Sequence, residues 1–126
     1  MEGGAGSLFD LRSLERAGFA FQPRKAGERI FVTDDEGDTM YAVRSGLVEI
    51  TAYGEVLDRV GPGGYFGEMA LIDGSPRSAT ATVAKDSEVA AISRADFLQL
   101  VRNEPTFALE IMRVLARRLR DMNESL

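Results

Sequence analysis

Residues 66–80 read Phe66-Gly67-Glu68-Met69-Ala70-Leu71-Ile72-Asp73-Gly74-Ser75-Pro76-Arg77-Ser78-Ala79-Thr80. Three features meet in this run. Glycines at 61, 63, 64 and 67 lead into Glu68-Met69-Ala70-Leu71-Ile72, a stretch long enough for a short helix. A helix start preceded by glycine offers free backbone N–H groups and the positive end of a dipole, which suits an anion. Arg77 follows a Gly-Ser-Pro turn and opens a stretch of small residues. Its guanidinium fork matches a phosphate through two parallel hydrogen bonds. Glu68 stands beside that anion site. An acid there is electrostatically out of place unless it pairs with an arginine or holds a hydroxyl, as acidic residues do with ribose in dinucleotide sites. Singly, each feature is ordinary turn or surface chemistry. Their combination and spacing carry the reading.

On the N-terminal side the chain reads as short strands separated by turns, from Phe19 to about Ile92. Ile30-Phe31-Val32 precedes the acidic turn Asp34-Asp35-Glu36-Gly37-Asp38. Met40 to Val43 is a strand, and Ser45-Gly46 reads as a turn. Val48, Ile50 and Ala52 then alternate with Leu47, Glu49 and Thr51, the pattern of a half-buried strand. Tyr53-Gly54-Glu55 suits a hairpin before Val56 to Val60, and Gly61-Pro62-Gly63-Gly64 is another turn. Arg77 to Val83 and Val89 to Ile92 complete the strand set. Strands this short and dense predict a barrel or jelly roll rather than an α/β sheet.

The period changes after Ile92. Ser93-Arg94-Ala95-Asp96 resembles a capping box opening a helix to about Arg102. Pro105 suits the first position of a further helix. Phe107, Ile111, Leu115, Leu119 and Met122 fall at helical spacing and give it one apolar face, with Arg113, Arg117 and Arg120 opposite. Leu8, Phe9, Leu11 and Leu14 predict an earlier helix ending near Gly18.

Composition narrows the function classes. A chain of 126 residues fits one domain with a core that needs no staples. It contains no cysteine and no histidine, which removes disulfides, thiolate metal sites, the commonest metal ligand and histidine-based nucleophile systems. No calcium-loop spacing of carboxylates is present. No enzymatic activity, metal or cofactor is expected. The net charge of −5, from 15 basic and 20 acidic residues, disfavours nucleic acid as a partner. Met1 to Ser7 is a Gly-rich leader without signal-peptide character, and no apolar run approaches the roughly 20 residues of a membrane span. A cytoplasmic protein is expected. The organisation expected is a leader over 1–7 and one domain over 8–126, its roll at about 19–92 and its last helices at about 93–125.

The 66–80 run closely resembles the phosphate-binding cassette of cyclic-nucleotide-binding domains, F-G-E-x-A-L-x, a short gap, then P-R-x-A. The match falls on Phe66, Gly67, Glu68, Ala70, Leu71, Pro76, Arg77 and Ala79. Gly37 to Ile50 also looks like that family's G-D-x-x-Y-x-V-x-x-G-x-V-x-V stretch. The resemblance implies a mainly β jelly roll, a double-stranded β-helix, with C-terminal lid helices. It implies a phosphate and ribose site at Gly67, Glu68, Met69, Ala70, Arg77 and Ser78. There Gly67 and Ala70 would offer amides, Glu68 would accept from the ribose 2′-hydroxyl, Arg77 would pair with the cyclic phosphate, and Ser78 would add a polar contact. Ile50 and Leu57 would line the base pocket, with Arg118 and Met122 closing it from the last helix. Ala81 stands where the family often has valine. The small but hydroxylated Ser78 leaves the purine open, so cyclic AMP is the expected ligand and cyclic GMP the alternative.

The function so implied is a sensor whose last helix responds to nucleotide and acts on a downstream protein of unknown identity. One alternative is the effector domain of a catabolite-activator-type transcription regulator, with the DNA-binding part outside this chain. Another is a ligand-free β-roll for dimerisation or docking, its α-helical apolar stripe forming a homodimer seam. A cupin-like enzyme shares the roll shape but needs histidine ligands.

Overall fold

Two long strands organise the molecule, and alternation along them sorts the core. The structure, a computed structural model, describes residues 11–124; Leu8 and Phe9 of the first expected helix lie outside them. The elements in chain order are α1 (Leu11–Arg16), β1 (Gln22–Arg24), β2 (Arg29–Phe31), β3 (Met40–Ala52), β4 (Glu55–Val60), β5 (Tyr65–Phe66), α2 (Glu68–Asp73), β6 (Thr80–Ile92), α3 (Arg94–Asn103) and α4 (Pro105–Glu124). Pairing is antiparallel throughout, in the order β1-β6-β3-β4, with β2 also on β6 and β5 also on β3. The β3–β6 ladder runs from Met40 opposite Ile92 to Thr51 opposite Thr80. No helix among the described residues is long and apolar enough to cross a membrane.

Successive residues of a strand face opposite sides. Met40 and Ala42 of β3 join a cluster with Leu14, Tyr65, Leu71, Ile92, Leu100, Phe107, Ile111 and Val114, under the helices. Val43 and Val48 join a second cluster with Phe31, Val60, Phe66, Ala81 and Val89 inside the roll. The two residues of β5 divide the same way: Tyr65 meets Phe107 edge-on, while Phe66 stacks on Tyr41. Gly67 and Glu68 follow at once, so the cassette begins at the seam between the two cores.

Three expectations change. Ser45-Gly46 is not a turn between strands but an irregular register inside the continuous β3. Gly46 has φ +93°, and a Cβ there would overlap Ser87 Oγ and lie 2.5 Å from the Asp86 carbonyl oxygen. The strands expected at Arg77–Val83 and Val89–Ile92 are one strand, β6, beginning at Thr80. The apolar face of α4 is buried only at Phe107, Ile111 and Val114, with Leu115 partly covered and Leu119 and Met122 exposed.

The capping box does form. Ser93 Oγ accepts from the Asp96 amide at 3.1 Å, and the Asp96 carboxylate accepts from the Ser93 amide at 3.3 Å.

Candidate functional site

Gly67 converts strand into helix. It adopts φ +82°, and no side chain caps the first turn of α2 behind it. A Cβ at this position would lie 2.9 Å from Arg77 Nη1 and 3.2 Å from the Thr39 carbonyl oxygen. Glycine is therefore required twice, for the left-handed backbone and for the close approach of Arg77. The helix ends at Gly74, φ +72°, whose amide donates to the Ala70 carbonyl. Asp73 then accepts from the Ser75 amide at 2.9 Å and the Ser75 hydroxyl at 2.6 Å, which lowers its pKa and closes the turn. The Arg77 amide donates to the Asp35 carbonyl at 2.9 Å, and the Asp34 amide donates to the Arg77 carbonyl at 2.8 Å. The acidic turn thus holds the cassette through its backbone.

Arg77 is buried, 5% exposed. Nη1 donates to the Gly67 carbonyl at 3.0 Å and Nη2 to the Thr39 carbonyl at 2.7 Å. The guanidinium lies 4.0 Å over the Phe31 ring. Burial lowers its pKa, opposed by Tyr41, Asp35, Asp38 and Glu68. It stays charged at neutral pH. Nε, also buried, has no hydrogen-bond partner. Gly37 packs against the same group, its notional Cβ 3.0 Å from Nη2.

Glu68 is 1% exposed. Its Oε2 pairs with Arg118 Nη1 of α4, while Oε1 is buried without a partner. Arg118 is held on two further sides, Nε donating to Asp58 Oδ2 at 3.1 Å and Nη2 to the Tyr65 carbonyl at 2.8 Å. One guanidinium therefore ties α4 to β4, β5 and α2. Buried donors and acceptors in native proteins are almost always paired. Here a cationic donor, Arg77 Nε, and an anionic acceptor, Glu68 Oε1, are both open. Arg77 bonds the carbonyl of the residue before Glu68, so the two groups share one corner of the seam.

The remaining expected residues divide. Ala70 is buried, whereas Met69 and Ser78 are exposed. Ile50 packs partly against the roll cluster. Leu57 and Met122 are 61% and 65% exposed and do not form a closed base pocket in this structure. A cleft of about 410 Å³ lies between the Gly61–Gly64 turn and α4, sharing Asp58, Tyr65 and Arg118 but neither Glu68 nor Arg77.

The corner therefore sets one open cationic donor beside one open anionic acceptor. The profile of the cyclic nucleotide-binding domain family matches residues 21–104. The chain belongs to that family. It is 42% identical over 100 residues to the cyclic AMP receptor protein of Thermus thermophilus, covering 75% of this chain and 46% of that protein. It is 41% identical over 91 residues to a cyclic nucleotide-gated potassium channel of Mesorhizobium japonicum, covering 72% of this chain and 25% of the channel. The crystal structure of Thermus thermophilus catabolite activator protein superposes with a TM-score of 0.81 and 35% identity, over 97% of this chain and 60% of that one. The chain thus spans under half the length of these curated relatives. The jelly-roll fold with C-terminal helices is the fold of this cyclic nucleotide-binding domain.

Sequence reasoning did not single out Asp58, Phe31 or the carbonyls of Thr39 and Tyr65, and it gave Gly37 a place in a motif but no contact with Arg77. Asp58 carries no signal in an alternating strand, where it reads as a solvated position. Phe31 reads as core. Backbone carbonyls are invisible to residue type.

Proposed function

We propose that this domain is a cyclic-nucleotide sensor in which Arg77 binds the cyclic phosphate, Glu68 binds the ribose 2′-hydroxyl, and Arg118 couples occupancy to α4. The observation that carries this reading is the pair of open buried atoms, Arg77 Nε and Glu68 Oε1. A phosphate oxygen accepts from the first and a ribose hydroxyl donates to the second. Each contact involves a charged group, worth about 1.5–3 kcal/mol. Arg118 already occupies Oε2, so ligand need not displace it. A ligand that favours this latched arrangement over an unlatched one shifts the population by the difference between its two affinities.

Cyclic AMP is the first ligand to test, supported by the relatives named for it, with cyclic GMP second. No catalytic step is assigned: the site holds a donor and an acceptor. The exposed Met112, Leu119 and Met122, with Leu115 beside them, recur at three- and four-residue spacing and suit a second copy of the helix. The domain also suits the effector role in a catabolite-activator-type regulator.

The test is calorimetric titration of nucleotide-stripped protein with cyclic AMP and cyclic GMP, on the parent and on Arg77→Ala. Binding by the parent that falls at least a hundredfold in the variant is expected. Retained affinity in a folded Arg77→Ala protein refutes the assignment.

A further inference from the structure

Asp58 is not part of the cassette, yet it belongs to the same chain of contacts. It lies on β4, the edge strand, where Ile50 pairs with Asp58 but Thr51 pairs with Val56. Leu57 is therefore the extra residue of a bulge, a device that re-aims side chains next to it. The Arg59 amide donates to Asp58 Oδ1 at 2.9 Å, which orients the carboxylate. Oδ2 then accepts from Arg118 Nε at 3.1 Å. Arg118 in turn holds Glu68 Oε2, leaving Oε1 as the open acceptor. Order passes in one line from a backbone amide, through Asp58 and Arg118, to the atom placed to meet a ribose hydroxyl.

We propose that Asp58 is a positioning residue for the ribose end of the site, setting discrimination for the 2′-hydroxyl through Arg118. The inference rests on the nucleotide-binding reading above. A guanidinium is planar, so anchoring Nε fixes the direction of both Nη groups. With Asp58 in place, Arg118 is pinned by β4, β5 and α2 together. Without it, two anchors remain, the Tyr65 carbonyl and Glu68 itself, and the plane can pivot about them. Glu68 then loses its fixed rotamer, and a hydroxyl that must meet Oε1 along a narrow direction loses most of its bond. The phosphate contact at Arg77 is untouched, because Arg77 is anchored separately on Gly67 and Thr39. Asp58 has an exposed side chain, 41% against 27% for Arg118, so its replacement leaves no buried cavity.

The experiment is calorimetric titration with 3′,5′-cyclic AMP and its 2′-deoxy analogue on the parent, Asp58→Asn, Arg118→Met and the double variant, each checked for folding by circular dichroism. The parent is expected to prefer the ribose form. Asp58→Asn is expected to cut that preference about five- to tenfold, the size of a weakened charge-assisted contact, with the deoxy affinity unchanged. In the Arg118→Met background the same substitution is expected to change nothing. An unaltered preference, an equal loss for both nucleotides, or an undiminished effect without Arg118 would overturn the positioning role alone. A folded parent that binds neither nucleotide overturns the function reading and this inference with it.

Discussion

Gly67 and Gly74 bracket α2 and share a left-handed backbone, φ +82° and +72°, which makes them a matched pair for one measurement. Alanine in that conformation costs about 1–2 kcal/mol. Scaled from about 2.1 cal/mol/K per residue, unfolding this chain carries an entropy of roughly 0.26 kcal/mol/K. Gly74→Ala should therefore lower Tm by about 4–8 °C and do nothing else, since the nearest atom to a Cβ there, Arg94 Nη2, is 3.9 Å away. Gly67→Ala carries the same strain and a collision. Its Cβ would sit 2.9 Å from Arg77 Nη1, against an ordinary contact distance of 3.4 Å or more. The guanidinium must retreat by about half an ångström, and it is held on the Gly67 and Thr39 carbonyls. One charge-assisted hydrogen bond is lost, about 1.5–3 kcal/mol further. Gly67→Ala should thus melt about 10–19 °C below the parent. It should also bind cyclic AMP at least tenfold more weakly, while Gly74→Ala binds as the parent does. Thermal unfolding by circular dichroism and calorimetric titration read both quantities. Equal nucleotide affinity in the two alanine variants would refute the reasoning, because then Arg77 is not positioned by the space that Gly67 leaves.

Three further outcomes are expected. Ser93→Ala removes the cap of α3 and should cost about 1 kcal/mol, a Tm loss near 4 °C, whereas Ser93→Asp should restore most of it; no loss in the alanine variant would show the cap to be idle. Gly46→Ala combines φ +93° with overlap on Ser87 and should destabilise by about 3 kcal/mol or more in urea unfolding; a parent-like midpoint would mean that β3 relaxes freely there. Glu88 is lowered in pKa by hydrogen bonds from Arg44 and Ser45, Glu28 by Arg24 and the Lys25 amide, and Asp73 by Ser75. Each binds its proton less readily folded than unfolded, so its contribution is complete above the ordinary carboxylate range and fades as pH falls below about 4.5. Melting temperatures that stay flat from pH 6 down to 3 would contradict these pairings.

Much of the fold was legible because local chemistry dictates it. Alternation marked the Val48-Ile50-Ala52 stretch, the Ser93 and Asp96 pair marked the start of α3, and Pro105 marked the start of α4. The short helix after Gly67 was legible as well, because glycines followed by Glu68-Met69-Ala70-Leu71-Ile72 mark a chain turning into helix, and α2 forms there between two left-handed glycines. Where strands join or kink was not legible, because the break at Ser45-Gly46 is a matter of register against β6, and register belongs to the pair of strands.

The sequence by itself determined the residue types at the site, the order of the elements and the absence of histidine and cysteine chemistry. The tertiary structure alone decided which groups meet. Arg118 reaches across 50 positions to Glu68 and 60 to Asp58, and Arg77 ends on the carbonyls of Gly67 and Thr39 rather than in solvent. Those contacts depend on the angle at which α4 crosses the roll and on where backbone oxygens point. Neither quantity is written in any local stretch of residues, because both are set by how two separate cores pack against one sheet.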